Sequence, residues 1–122
     1  MKIRIIIGNL SIEGTLNDTP TAKKVAEVLP LSTHFDTWGE EIYFRIPVVA
    51  ELDKSARKEV ELGDLGYWPT GNAFCIFFGQ TPMSSHGKIV PASAVNIIGN
   101  VIGNVEAFKE VMNERLITLE KC

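Results

Sequence analysis

Hydrophobic residues recur at every second position through much of the chain, which is the spacing of strands that bury one face. Residues 2–7 place three isoleucines on one face, and the turn signal Gly8-Asn9 predicts a hairpin with a second strand over residues 10–16. Alternating or fully apolar runs predict further strands over residues 41–46, 60–67, 73–78, 95–102 and 115–119. We expect the last of these strands to pair with the first.

Two short helices are predicted between the strands. Thr19 or Asp18 can cap a helix that begins at Pro20, because proline fits the first helical position. Apolar residues with helical spacing predict a second helix after Asn104. The segment 81–94 is rich in proline, serine and glycine, which indicates a long surface connection. The pattern therefore predicts a mainly β protein with two helices.

The composition indicates one domain over residues 1–122. A chain of 122 residues with 45% hydrophobic content can bury a single core without metals or disulfides, so Cys75 and Cys122 are expected to be free thiols. The net charge of -3, with scattered basic residues, argues against nucleic acid as a partner. No apolar stretch approaches the roughly 20 residues that span a membrane, and no signal peptide is evident. We therefore expect a cytoplasmic protein without a membrane partner.

Aromatic residues are concentrated in the middle of the chain, since eight of the ten lie between Trp38 and Phe78. Such a concentration indicates a core with a cleft beside it. Residues 73–78 are apolar on both faces, which fits a barrel strand whose outer face is covered by a helix. No catalytic or cofactor motif accompanies these residues, and no cofactor is predicted.

Four unusual motifs point to a family. They are Thr37-Trp38-Gly39-Glu40-Glu41-Ile42-Tyr43-Phe44, Gly63-Asp64, Tyr67-Trp68-Pro69 and Phe78-Gly79-Gln80-Thr81-Pro82. Together they resemble the small bacterial and archaeal cyclophilin-like family of unassigned function, a distant relative of the cyclophilin peptidyl-prolyl isomerases. The resemblance implies a closed antiparallel cyclophilin-like β-barrel of about eight strands with two short capping helices.

The sequence departs from true cyclophilins where their catalysis takes place. A cyclophilin carries an arginine in a Phe-His-Arg run after its first helix, but residues 32–36 here read Ser-Thr-His-Phe-Asp. Ile89 stands where a cyclophilin has its groove histidine. Arg45 is the one arginine that could reach a cleft, although its place matches no family arginine. The resemblance therefore implies a cyclophilin-like domain without the isomerase arginine.

The same resemblance suggests where a ligand would bind. The cleft would lie beside the aromatic motifs and accept an unknown peptide segment or small molecule. The alternative is an enzyme that uses the same cleft, either a weak peptidyl-prolyl cis-trans isomerase or a small-molecule enzyme. The candidate ligand-binding residues are Trp38, Glu41, Tyr43, Tyr67, Trp68, Phe74, Thr81 and Met83.

The polar residues of this region can be explained without a catalytic or metal site. Glu40 and Glu41 are adjacent on a strand and point to opposite faces, so they cannot share a proton. Glu41 and Arg45 lie on the same strand face, which favours a surface ion pair. A metal site would need two histidines and a carboxylate, and none is predicted from the spacing of His34, Asp36 and His86.

Overall fold

The fold is a ten-stranded antiparallel sheet with one α-helix and two short 3₁₀ helices, seen in a computed structural model that describes all 122 residues. The strands are β1 (Lys2–Ile7), β2 (Leu10–Leu16), β3 (Leu31–His34), β4 (Asp36–Thr37), β5 (Glu41–Arg45), β6 (Ala56–Arg57), β7 (Asp64–Trp68), β8 (Ala73–Phe77), β9 (Val95–Ile102) and β10 (Leu116–Lys121). Neighbouring strands follow the order β3-β10-β1-β2-β9-β7-β8-β5-β4, and β6 pairs with β9 as a branch. The prediction of a mainly β protein is confirmed.

The first strand lies between the two partners predicted for it. It pairs with β2 across the turn at Gly8 and Asn9, where Gly8 adopts a φ of 56°, a conformation that favours glycine. On its other side it pairs with β10, and Ile5 stands opposite Leu119. The three isoleucines of its inner face are fully buried, so both the hairpin and the pairing of the first and last strands are confirmed.

The helices begin where the sequence predicted. In α1 (Pro20–Glu27), the Thr19 hydroxyl accepts a hydrogen bond from the backbone N–H of Ala22 at 3.3 Å. The second predicted helix is a 3₁₀ helix, Val105–Glu110, and another 3₁₀ turn, Pro69–Gly71, joins β7 to β8. None of these helices has both the length and the apolar character that crossing a membrane requires.

The prediction of a closed barrel of about eight strands was wrong, because the sheet has ten strands and is not closed. Its terminal strands, β3 and β4, are separated only by Phe35, and no hydrogen-bonded register joins them. The Phe35 N–H donates instead to the carbonyl of Arg115 at 3.1 Å. The extra strands include β4 and β6, each of two residues, which are too short to produce a recognisable alternation in the sequence.

The central strands of the sheet bury both of their faces. Their inner residues join the main core, whereas Cys75, Phe77 and Val95 form a smaller outer cluster with Val60 and Ile89. The expected outer covering was a helix, but two irregular segments cover this face and meet where the Val60 N–H donates to the Ile89 carbonyl at 2.9 Å. The covering leaves every residue of β8 buried, but openings remain at the edges of the cluster beside Val60, Ile89 and Val95.

Candidate functional site

A cavity of about 220 Å³ opens on the outer face of the sheet beside the smaller hydrophobic cluster. We call it the Glu41 cavity. It is lined by Trp38, Glu41, Tyr43, Trp68, Pro91, Ala92 and Val95. The first four are among the ligand-binding residues predicted from the sequence, and the structure brings them together from separate parts of the chain.

The alternation of β5 explains why Glu41 and Tyr43 line the same wall. Ile42 and Phe44 point into the main core, so the residues between them point outward. Phe77 of β8 stands opposite Glu41 in the sheet register, and Cys75 stands opposite Tyr43. These two buried residues therefore share the outer face with the cavity-lining residues of β5.

Glu41 is a buried carboxyl group with an unsatisfied oxygen. Only 6% of the residue is exposed, its Oε1 atom has no hydrogen-bond partner, and none of the ion pairs in the structure includes it. Burial raises the pKa of Glu41 from its ordinary 4.5 to about 7, and the neighbouring Cys75 thiol lowers that pKa by a smaller amount. The carboxyl group therefore changes charge near neutral pH.

The cavity is electrostatically negative when Glu41 is ionised. Burial is the largest cause of a raised pKa at Tyr43, and the negative charges of Asp36 and Glu41 raise it further. Burial also raises the pKa of the Cys75 thiol, with Glu41 as a second cause. The Cys75 thiol lies 3.9 Å from the Ala73 carbonyl, its hydrogen-bond acceptor. No lysine, arginine or histidine lines the cavity.

Trp68 is held at the rim by contacts on two sides. Its indole N–H donates to the Ser93 hydroxyl at 2.6 Å, which ties the end of β7 to the segment that carries Pro91 and Ala92. Gly71 lies against the ring, and a Cβ atom there would approach Trp68 to 2.8 Å. The indole is half-buried and its position is fixed, as a binding surface requires.

Two of the predicted site residues lie in the main core. Tyr67 is fully buried, and its hydroxyl donates to the Val48 carbonyl at 2.6 Å and lies 3.2 Å from the amide oxygen of Asn72. Phe74 is also fully buried and stacks on Phe44 with ring centroids 5.2 Å apart. Both residues face away from the Glu41 cavity, since they belong to the inner alternation of β7 and β8.

Two others lie in the connection after β8 and do not line the cavity. Thr81 is buried, and its hydroxyl bonds to the Val90 carbonyl and to the Ser84 hydroxyl. Ser84 also accepts hydrogen bonds from the backbone N–H groups of Thr81 and Val90, each at 3.0 Å. Thr81 therefore holds the connection in shape, while Met83 is 54% exposed.

Sequence reasoning missed Pro91, Ala92 and Val95. The first two lie in a segment that carried only the signal of a surface connection, and Val95 is the first residue of a strand whose outer face could not be assigned. No periodicity marks a loop that folds back over a sheet. The proline-rich composition of the segment was the one available signal, since proline reduces the flexibility of a covering loop.

A second, larger cavity of about 600 Å³ lies nearby, and half of its ten lining residues are charged. Its lining includes Arg57, Glu59, Glu61, Asp64 and Lys88. Three of these side chains have partners: Lys88 pairs with Glu59 at 3.9 Å, and the Asp64 carboxylate accepts from the Glu61 N–H at 2.9 Å. This polar cavity contains no buried group that lacks a partner.

The remaining predictions concern the surroundings of Glu40 and Glu41, an ion pair with Arg45, and a metal site. Glu40 and Glu41 do point to different surroundings, because Glu40 pairs with Lys109 at 3.5 Å outside the cavity. The predicted ion pair between Glu41 and Arg45 was wrong: Arg45 is exposed and Glu41 is buried without a cation. No three histidine, cysteine, aspartate or glutamate side chains come together in a group that could hold a metal ion.

The comparisons with known proteins cover nearly the whole chain. The Cyclophilin-like family profile matches residues 1–120. The solution structure of the hypothetical protein AF2241 from Archaeoglobus fulgidus is 38% identical, with a TM-score of 0.84 over 100% of this chain and 95% of that one. McbB, whose structure was determined in complex with tryptophan, shares the fold at 14% identity and a TM-score of 0.66, and the match covers 98% of this chain and 44% of McbB. A search of curated proteins finds no significant match.

Proposed function

This chain belongs to the cyclophilin-like family, and on that premise we propose that it binds a small molecule in the Glu41 cavity. The observation that carries the proposal is the Glu41 carboxyl group, which lines the cavity, is 6% exposed and has an oxygen without a partner. Leaving such a buried acceptor unsatisfied costs roughly 1–3 kcal/mol. A ligand that donates a hydrogen bond to Glu41, or places a positive charge beside it, would recover that cost.

The size of the cavity supports a small ligand. Its volume of about 220 Å³ is below the ~300–1,000 Å³ typical of pockets for drug-sized molecules. Two tryptophans and a tyrosine provide apolar surface, and Glu41 provides one polar group to orient the ligand. A few polar groups among aromatic walls are the usual composition of a ligand site.

The covering segment favours a small molecule over an extended peptide. Pro91 and Ala92 form part of the wall, and the hydrogen bond between Trp68 and Ser93 joins the two sides of the cavity at its rim. A peptide lying along the sheet would need an open groove on both sides of Trp68. A compact molecule needs only the space that is already present.

The test uses the two tryptophans, which are the only ones in the chain and both line the cavity. Small molecules are screened for a change in intrinsic fluorescence, and the affinity of each hit is then measured by calorimetry. We expect Tyr43→Ala to weaken binding at least about ten-fold, the loss that about 1.4 kcal/mol produces. Met83→Ala is the control, because Met83 is exposed and does not line the cavity.

The opposite pattern would contradict the proposal. Hits that keep their affinity in Tyr43→Ala and Glu41→Gln, but lose it in Lys88→Ala, would move the site to the polar cavity. Circular dichroism of each variant checks that the fold is retained.

A second candidate function is general acid–base catalysis by Glu41 on a molecule bound in the same cavity. The observation that favours it is the pKa of about 7, since a catalytic acid or base is most effective when its pKa lies near the working pH. Prolyl isomerisation is not part of this proposal, because no arginine lines the cavity to polarise an amide. A hit from the screen that is chemically converted by the protein, and not by Glu41→Gln, would support catalysis.

A further inference from the structure

We propose that the ligand of the Glu41 cavity is a small organic ammonium ion, whose charged head lies among Trp38, Tyr43 and Trp68 and against the Glu41 carboxylate. This inference rests on the proposed function and names the class of molecule that the cavity would bind. It predicts a preference for a cation over a neutral molecule of the same shape.

The first argument is the charge balance of the cavity. Glu41 is the only lining residue that carries a formal charge, and no cation of the protein lies within ion-pair distance of it. Buried carboxylates in proteins are usually paired with a cation or bound to one. A ligand that carries a positive charge would supply the missing partner, whereas an anionic ligand would be repelled.

The second argument is the aromatic character of the walls. Trp38, Tyr43 and Trp68 are all half-buried at the same cavity, so each presents part of its ring to a ligand. Aromatic rings attract ammonium groups through their quadrupoles, and tryptophan is the most effective of them. Alkylated ammonium groups gain most from such walls, because they are weakly hydrated and cannot replace ring contacts with hydrogen bonds.

The third argument is the shape of the site. At about 220 Å³, the cavity has room for a compact head group and little more. The carboxyl group and the aromatic residues come from β5, the end of β7 and the turn after β4, so they surround this space from different directions. A small free molecule therefore fits the cavity better than a cation carried on a polypeptide.

Binding of a permanent cation should depend on pH through Glu41. The protonated carboxyl group is neutral, so the ligand prefers the ionised form, and binding strengthens as the pH rises through about 7. The other titratable groups near this carboxyl are Tyr43, Cys75 and Asp36. Burial raises the pKa of both Tyr43 and Cys75 above their ordinary values, and Asp36 acts on Tyr43, so neither of the first two changes charge in this range.

The test compares choline with its uncharged isostere, a dimethylbutanol in which carbon replaces the nitrogen. Calorimetry on the full chain at pH 8 should show choline binding at least about ten-fold more tightly than the isostere. Choline affinity should fall about ten-fold from pH 8 to pH 6, as protonation of a group with a pKa of about 7 requires. The affinity of the isostere should change little over the same range.

Two variants identify the source of the preference. Glu41→Gln keeps the size of the side chain and removes its charge, so choline should bind it at least about ten-fold more weakly at pH 8 and keep only the part of its preference that the aromatic walls supply. Glu40→Gln is the matched control, since it makes the same change in net charge at a residue that pairs with Lys109 outside the cavity. Choline should retain its affinity for this control.

The outcomes separate this inference from the proposed function. Equal affinities for choline and the isostere would overturn the cation inference and leave the small-molecule site supported. Choline affinity that is unchanged in Glu41→Gln at pH 8 would also overturn it. If neither molecule binds, the inference fails, and the fluorescence screen with Tyr43→Ala decides the proposed function separately. A peptide carrying trimethyl-lysine that binds at least ten-fold more tightly than choline would overturn the assignment to a free small molecule.

Discussion

The inner and outer faces of the central strands are built from alternate residues of the same segments, yet their buried polar groups differ in hydrogen bonding. On the inner face, the Tyr67 hydroxyl is fully buried and donates to the Val48 carbonyl at 2.6 Å. On the outer face, the Glu41 carboxyl is nearly as buried but has an oxygen without a partner. Native cores satisfy almost all of their buried polar groups. Glu41 is the one exception among the buried side chains.

The largest expected effect tests the inner face. Phe74→Ala should lower the free energy of unfolding by about 3–5 kcal/mol, because it removes a fully buried ring that stacks on Phe44. Trp38→Ala removes a larger side chain at the outer cavity, but Trp38 is only half-buried, and about 1 kcal/mol is expected. Urea denaturation followed by circular dichroism measures both. Equal losses of unfolding free energy in the two variants would show that the inner and outer faces contribute equally to stability.

The next largest effect is the pH dependence of the free energy of unfolding that Glu41 causes on the outer face. The pKa of Glu41 is about 7 in the folded protein, above its ordinary 4.5, so folding favours the protonated form. The resulting stability is fully present below pH 4.5 and is lost as the pH rises through 7, by up to about 3 kcal/mol. Glu41→Gln mimics the neutral form. Its free energy of unfolding should therefore fall less between pH 4.5 and pH 8 than that of the wild-type protein.

Denaturation series at several pH values check this prediction, with Glu40→Gln as the control for a change in charge alone. A Glu40→Gln profile that flattens as much as that of Glu41→Gln would attribute the slope to net charge. Parallel profiles for Glu41→Gln and the wild-type protein would show that Glu41 is not the group responsible.

The smallest expected effect concerns prolyl isomerase activity, for which the outer face lacks an arginine in its cavity. We expect negligible prolyl isomerase activity, because loss of a preorganised donor typically reduces rates by about 10²–10³ and no arginine lines the Glu41 cavity. Arg45 follows Tyr43 on β5 but is exposed, so Arg45→Ala should change nothing. A protease-coupled assay on a proline peptide measures this. Activity near that of a true cyclophilin that disappears in Arg45→Ala would reverse the conclusion.

The sequence predicted the elements with long, regular alternation. The three inner isoleucines of β1, the turn at Gly8 and the proline start of α1 each act locally, so their consequences could be derived without tertiary information. The pairing of β1 with β10 was also predicted. The two-residue strands and the missing closure at Phe35 depend on contacts between distant segments, which no local pattern encodes.

The candidate site was predicted only in part, for a related reason. Alternation along β5 assigned Glu41 and Tyr43 to one face, but it could not show that a loop would cover that face and bury the carboxyl. Tyr67 and Trp68 are adjacent, so only one of them can point to the outer face, and the motif did not say which. The register of β7 against β8 and β9 decides this, and it places Tyr67 in the core.

The shortness of the two strands that end the sheet has a consequence for aggregation. A free strand edge can recruit an edge from another molecule and so begin an intermolecular sheet. Here the ten-stranded sheet ends in β3, of four residues, and β4, of two, and these are consecutive in the chain. Each is therefore too short to template a long intermolecular ladder. The shortness of these two strands therefore limits strand-to-strand polymerisation.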